Sequence, residues 1–160
     1  MYEFAPSAST PKPEMYRDLS AAAAALIDGE ADVVANMANV AALIWQFVPD
    51  LNWAGFYRIV EGELVLGPFI GKPACIRIPL GQGVCGAAAL SGAVQLVADV
   101  HAFPGHIACD AASRSELVVP VLRDGKVIAV IDLDSPLPAR FDSDDAAGIT
   151  ALAGLISMAI

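Results

Sequence analysis

The stretch Glu116–Pro136, ELVVPVLRDGKVIAVIDLDSP, decides the fold. Two apolar runs, Glu116 to Leu122 and Lys126 to Leu133, flank Arg123-Asp124-Gly125, and Asp-Gly is a favoured two-residue hairpin turn. The stretch therefore predicts a pair of antiparallel strands, the second ended by Pro136 and Pro138. Successive side chains of a strand point to opposite faces, so Asp132 and Asp134, two apart in an otherwise apolar run, share one side. Glu116 opens the neighbouring strand, near enough to share a pocket with them. Like charges on one strand face are unfavourable unless a cation or a shared proton sits between them. A zwitterionic ligand with an ammonium group supplies that cation. The plainer alternative leaves Asp134 capping the Ser135-Pro136 turn and Glu116 in solvent.

Upstream, Asn52 to Ile59 (NWAGFYRI) is rich in aromatic residues, and Glu61-Gly62 turns it into Glu63 to Leu66, a second hairpin signal. A long Gly/Pro segment follows, interrupted by a short helix from Gly83 to Leu90, and Gln95 to Ala98 reads as a short strand. Before these strands, Tyr16, Leu19, Ala23, Leu26 and Ile27 recur at helical spacing from Pro13 until Gly29, and a second helix runs from Ala31 to Phe47. After them, Asp142 or Ser143 caps a last helix that reaches Met158. The order predicts an α+β fold, a central antiparallel sheet flanked by N-terminal and C-terminal helices on one face. Residues 1–160 read as one domain, with 1–12 as a flexible lead-in.

Hydrophobic residues make up 56% of the chain and charged ones 17%, below the globular average of about 25%, so some apolar surface is expected to be hidden in an oligomer. Nine Lys and Arg against eighteen Asp and Glu give a formal charge of -9, which repels nucleic acid and anionic membrane surfaces. The N-terminus has neither a basic start nor an apolar core of signal-peptide length, and no run approaches about 18 apolar residues, so a cytoplasmic protein is expected. In a reducing compartment, three cysteines point to buried packing, metal ligation or redox chemistry rather than a structural framework.

All three thiols and both histidines lie between Gly67 and Asp110. Cys109, in His106-Ile107-Ala108-Cys109-Asp110, stands between a turn-rich loop and a strand, where a side chain can face a cavity; a lone buried cysteine would be inert. Cys75 follows Lys72-Pro73-Ala74 in the long loop. Cys85 lies in the first turn of the short helix, where unpaired amides bias a thiol toward thiolate, or it simply fills the space beneath. Zinc held by the three cysteines with His101 or His106 fits poorly, because the cysteine gaps of ten and twenty-four positions are unlike close structural pairs. Trp53, Phe56 and Tyr57 line the same cavity or belong to plain core.

With these residues in place, the sequence resembles the free methionine-(R)-sulfoxide reductases, which are built on the GAF domain. The resemblance rests on Asn52-Trp53-Ala54-Gly55-Phe56-Tyr57, Leu66-Gly67-Pro68-Phe69, Gly71-Lys72-Pro73-Ala74-Cys75 and Gly83-Val84-Cys85-Gly86. It continues through Asp99 to Asp110, Ser115-Glu116 and Ile131 to Pro136. It implies a single GAF domain, usually a homodimer, that reduces free L-methionine (R)-sulfoxide and is regenerated by thioredoxin, with no bound cofactor or metal. It also implies roles: Cys109 as nucleophile, Cys75 as resolving thiol, Cys85 as a supporting thiol, Glu116, Asp132 and Asp134 as holders of the amino acid, and Trp53 and Tyr57 as walls.

Three carboxylates beside a thiol should raise its pKa above about 8.5 and deplete the thiolate. One carboxyl, Asp134 or Glu116, is therefore expected to stay protonated and donate to the sulfoxide oxygen, as paired acids split their pKa values. Cys109 then attacks sulfur and becomes a sulfenic acid, which Cys75 converts to a disulfide. The alternative from another class is a non-catalytic GAF sensor of small ligands such as cyclic nucleotides, whose pocket would need phosphate donors. A third reading, repair of protein-bound methionine sulfoxide, would need an open groove.

Overall fold

Both hairpins form where the turn residues place them. In the computed structural model, Glu61 and Gly62 have φ of 51° and 85°, and Asp124 and Gly125 have φ of 50° and 73°, the paired left-handed conformation that matches the twist of two joined strands. The structure describes residues 10–105 and 110–160. The strands are β1 (Trp53–Val60), β2 (Glu63–Gly71), β3 (Arg77–Pro79), β4 (Gln95–Val97), β5 (Ser115–Arg123) and β6 (Lys126–Ser135). They form one six-stranded antiparallel sheet in the order β3-β2-β1-β6-β5-β4. β2 is longer than the predicted Glu63–Leu66, and β3 lies inside a segment predicted as loop. Pro120 stands in β5 without harm because β4 covers only Glu116 to Val118, so the strand beyond is an edge.

Period-two alternation divides the sheet into two environments. Leu117, Val119 and Val121 of β5 and Ala129, Ile131 and Leu133 of β6 enter a core with α1 (Lys12–Ile27), α2 (Val33–Phe47) and α4 (Ser143–Ile156). These three helices occupy one face, as the element order predicts. On the other face Val118 and Val130 join Trp53, Tyr57 and the short α3 (Gly83–Ser91) in a smaller cluster, so helices cover both faces rather than one. Gly86 makes that second covering possible: a Cβ there would sit 2.6 Å from the Pro79 carbonyl oxygen, so only glycine lets α3 lie this close to β3. Among the described residues, no helix is long and apolar enough to cross a membrane.

α1 begins at Lys12, within the stretch predicted as lead-in, because Lys12 is tied to the other end of the chain. Its Nζ donates to Asp142 Oδ2 (2.7 Å) and Asp145 Oδ2 (2.6 Å). Asp145 is fully buried and also accepts from Tyr16 Oη (2.8 Å) and Arg140, and it completes a capping box with Asp142 at the start of α4. Burial and the Asp145 carboxylate push the Tyr16 hydroxyl far above its usual range, so it stays a donor. Removing the carboxylate leaves the buried Tyr16 hydroxyl without its acceptor and takes from Lys12 and Arg140 the buried anion they share. Asp145→Ala is expected to destabilise the protein by about 3–5 kcal/mol, measured as a lower urea midpoint at unchanged m.

Candidate active site

Cross-strand register assembles the site. Asp134 of β6 is the partner of Trp53 on β1 and of Glu116 on β5, and Asp132 is the partner of Gly55 and Val118. Glu116, Asp132 and Asp134 therefore leave the same face of adjacent strands and line one recess with Trp53, Tyr57 and Cys85. Counted out to its open mouth, that recess measures about 550 Å³. Phe56 does not reach it: one residue out of phase with Trp53 and Tyr57, it packs in the helix-side core. Trp53 and Tyr57 stack at 5.9 Å and Trp53 and Phe69 at 5.1 Å, giving the recess an aromatic wall.

Glu116 and Asp132 are buried, 6% and 5% exposed, and Asp134 is half-buried beside them. Burial drives the Glu116 carboxyl well above its usual range, and the neighbouring Asp132 and Asp134 push it further. Asp134 is raised for the same reasons, although a hydrogen bond from Ser113 favours its charged form. Burial lifts Asp132 to about 7, against the lowering effect of its hydrogen bonds with Cys85 and Glu116. Asp132 Oδ1 is buried with no hydrogen-bond partner among the described residues, which is expensive unless a proton or ligand meets it.

Of the two readings open for Cys85, a thiolate at the helix start or a small residue packed beneath the helix, the second fits its surroundings. Its Sγ lies 3.9 Å from Glu116 Oε1, and burial, then Asp132 and Glu116, push the thiol well above its ordinary pKa. A helix terminus contributes about 1 kcal/mol, too little against two acids and full desolvation. Cys85 is thus a protonated neighbour of the acids, filling the space beneath α3. Among the described residues, Cys85, Glu116 and Asp132 are also the group whose donor atoms converge within 4.8 Å, as metal ligands do, but each would first have to lose a proton. His101 is not part of it; its Nδ1 lies 3.0 Å from Asp99 on the surface.

Cys109 and His106 lie outside the described residues. The loop ends beside Cys109 are anchored nonetheless. Asn52 Nδ2 donates to Asp110 Oδ2 (3.2 Å) and Ser113 Oγ (3.0 Å), and Lys72 Nζ meets Asp110 Oδ1 at 3.2 Å. Trp53 Nε1 donates to the Lys72 carbonyl (3.2 Å), and Tyr57 Oη donates to the Cys75 carbonyl (3.0 Å). The walls of the recess thereby hold the half-buried Cys75 at its rim. Lys72, Gln82 and Ser113 line the recess but escaped notice in the sequence, since they come from turns with no periodic signal.

The pattern of the GAF domain matches residues 30–160. The chain belongs to the GAF-domain family. It is 49% identical to the free methionine-R-sulfoxide reductase of Escherichia coli over 88% of this chain and 86% of that one. It is 43% identical to the enzyme of that name from Saccharomyces cerevisiae, covering 94% and 88% of the two chains. Among solved structures it superposes with a TM-score of 0.93 on the free methionine-R-sulfoxide reductase of Neisseria meningitidis in complex with its substrate, at 41% identity over 99% and 95% of the chains.

Within this GAF domain the acids make stability depend on pH. An acid whose pKa is raised by folding holds its proton more tightly in the native state, so the native state is favoured at low pH and loses that advantage as pH rises through the folded value. For Asp132 the window runs from the unfolded value of about 3.9 up to about 7. Chemical denaturation of the ligand-free protein is expected to show higher stability at pH 5 than at pH 8, and Asp132→Asn is expected to flatten that slope.

Proposed function

We propose that this chain is an oxidoreductase that reduces free L-methionine (R)-sulfoxide to methionine. The observation that carries the reading is the cluster of three acids, Glu116 and Asp132 buried and Asp134 half-buried, facing an aromatic wall, a site suited to a small zwitterion with an apolar end. The ammonium supplies the cation that three neighbouring carboxyls require, and Trp53 and Tyr57 take the methyl and methylene groups. Similarity to relatives that carry the reductase name supports the same substrate.

The chemistry follows from the raised carboxyls. Glu116 or Asp134, still protonated at neutral pH, gives its proton to the sulfoxide oxygen. Electron density leaves sulfur, and the Cys109 thiolate attacks it. The sulfur–oxygen bond of the substrate breaks, methionine departs reduced, and Cys109 retains the oxygen as a sulfenic acid. Cys75 displaces that oxygen as water and forms a disulfide, which thioredoxin reduces by exchange. A protonated acid also spares the nucleophile a fixed negative neighbour, the conflict anticipated from sequence. Cys85, protonated and in contact with Glu116, acts by holding that carboxyl in place rather than as a nucleophile.

The test couples separated epimers of the free amino acid to a thioredoxin system and follows NADPH loss. Turnover of the R-epimer is expected, with Cys109→Ser at background. Glu116→Gln and Asp134→Asn are expected to lower kcat by about 100-fold. Normal turnover by Cys109→Ser would overturn the mechanism.

A further inference from the structure

Cys85, Glu116 and Asp132 reach one point from three different elements, α3, β5 and β6. One donor atom from each, a sulfur and two carboxylate oxygens, lies within 4.8 Å of the other two, and all three residues are buried. In a tetrahedral zinc site, with zinc about 2.3 Å from sulfur and about 2.1 Å from oxygen, those two atoms stand about 3.6 Å apart. Cys85 Sγ and Glu116 Oε1 stand 3.9 Å apart, so a slight closure brings both onto an ion. A thiol hydrogen bond accounts for that one approach, but it does not account for Asp132. Asp132 is 5% exposed, lines the recess, and keeps its buried Oδ1 without a partner among the described residues. Nor does any lysine, arginine or histidine among the described residues form an ion pair with Glu116 or Asp132. Three potential ligands thus surround a point at which one buried oxygen still lacks a partner.

We propose that Cys85, Glu116 and Asp132 form a binding site for a zinc-class divalent cation at the base of the recess. The donor set chooses the class. Magnesium and calcium prefer all-oxygen shells of six or more ligands, whereas one thiolate with two carboxylates suits zinc, cobalt or cadmium. Three protein donors leave a fourth position, open to the recess, for water. Each donor that carries a proton gives it up to solvent as the ion binds, and the two positive charges of the ion offset the anions so formed. This set differs from the cluster of cysteines and histidines weighed in the sequence: it uses one cysteine, and His101 lies at the surface with Asp99. The site goes beyond the reductase reading and stands without it. An ion held there occupies carboxyls that an ammonium would use, so the recess takes one or the other.

The experiment uses the full chain carrying Cys75→Ser and Cys109→Ser, which leaves Cys85 as its single thiol. This protein is titrated without oxygen, with cobalt(II) followed by absorbance and with zinc(II) followed by calorimetry, the metal alone being the probe. Cobalt is expected to give a thiolate-to-metal charge-transfer band in the near ultraviolet, which zinc abolishes at one ion per chain. Zinc should also raise Tm, as a ligand of the native state does. Adding Cys85→Ser should remove the band and weaken zinc by at least about 100-fold. Asp132→Asn, close in shape to the original, should keep the band while weakening zinc by at least about tenfold. Magnesium at about 10 mM should leave the band unchanged. No band in the single-thiol protein, a band that survives Cys85→Ser, unchanged zinc affinity in Asp132→Asn, or displacement of cobalt by magnesium would each overturn the site. The band is read in the single-thiol protein itself, so a variant that fails to fold does not decide the matter. Zinc bound through Cys85 in a chain whose native form reduces no sulfoxide would defeat the reductase reading and keep the site; sulfoxide turnover by the native chain with no band in the single-thiol protein would do the reverse.

Discussion

The rest of the structure depends on the crowding of Glu116, Asp132 and Asp134 on two adjacent strands. Three carboxyls, two of them buried and the third half-buried, cannot all ionise in a space this small, because each charge taken from water is costly and repels the others. The fold answers by retaining protons: Glu116 and Asp134 stay well above the usual carboxylate range and Asp132 sits at about 7. Cys85, with a raised pKa of its own, gives Glu116 a neutral neighbour. The site is therefore a proton reservoir that a ligand's ammonium can displace, and its discomfort without ligand is the source of its affinity for one.

Such a site needs stability from elsewhere, and the alternation of β5 and β6 provides it. The same strands that turn acids to one face turn Leu117, Val119, Ile131 and Leu133 to the other, where three helices cover them. The anchoring of α1 to α4 through Lys12, Tyr16 and Asp145 closes that layer on the side away from the recess. Packing and chemistry are thus separated by the thickness of one sheet, so the acids can be strained without loosening the core.

What sequence could and could not reveal follows from where periodicity exists. The two hairpins were legible because Glu61-Gly62 and Asp124-Gly125 demand left-handed backbone, and the shared face of Asp132 and Asp134 was legible because strand alternation is strict. The same alternation excludes Phe56 from the recess and gives it to the helix-side core, the second of the two places the sequence left open for it. β3 was invisible, since three residues between prolines and glycines carry no pattern. Lys72, Gln82 and Ser113 were hidden for a related reason: turns bring them to the recess, and their arrival depends on tertiary bonds such as Asn52 to Ser113 rather than on spacing. Of the two readings open for Cys85, packing beneath the helix outweighs a thiolate, because helix-end polarity is weak beside burial among acids.

The rim shows how the two halves of the site are kept in register. Asn52 directly precedes β1, and its backbone amide donates to the Asp134 carbonyl at 3.0 Å while its side chain reaches Asp110 and Ser113. Ser113 in turn bonds the Asp134 carboxyl, and Asp110 holds Lys72, whose carbonyl receives the Trp53 indole. The loop that carries Asp110 and the loop that leads to Cys75 are therefore tied to each other and to the acid floor through one strand end. Each bond alone is modest, about 1 kcal/mol, and part of the network is open to water. Its value lies in geometry: thiol chemistry at a sulfur atom tolerates little misplacement, and a floor, a wall and two loops that share hydrogen-bond partners cannot drift independently. Asn52 carries no reactive group, yet it is the residue through which the position of the acids is communicated to the loops on either side of the recess.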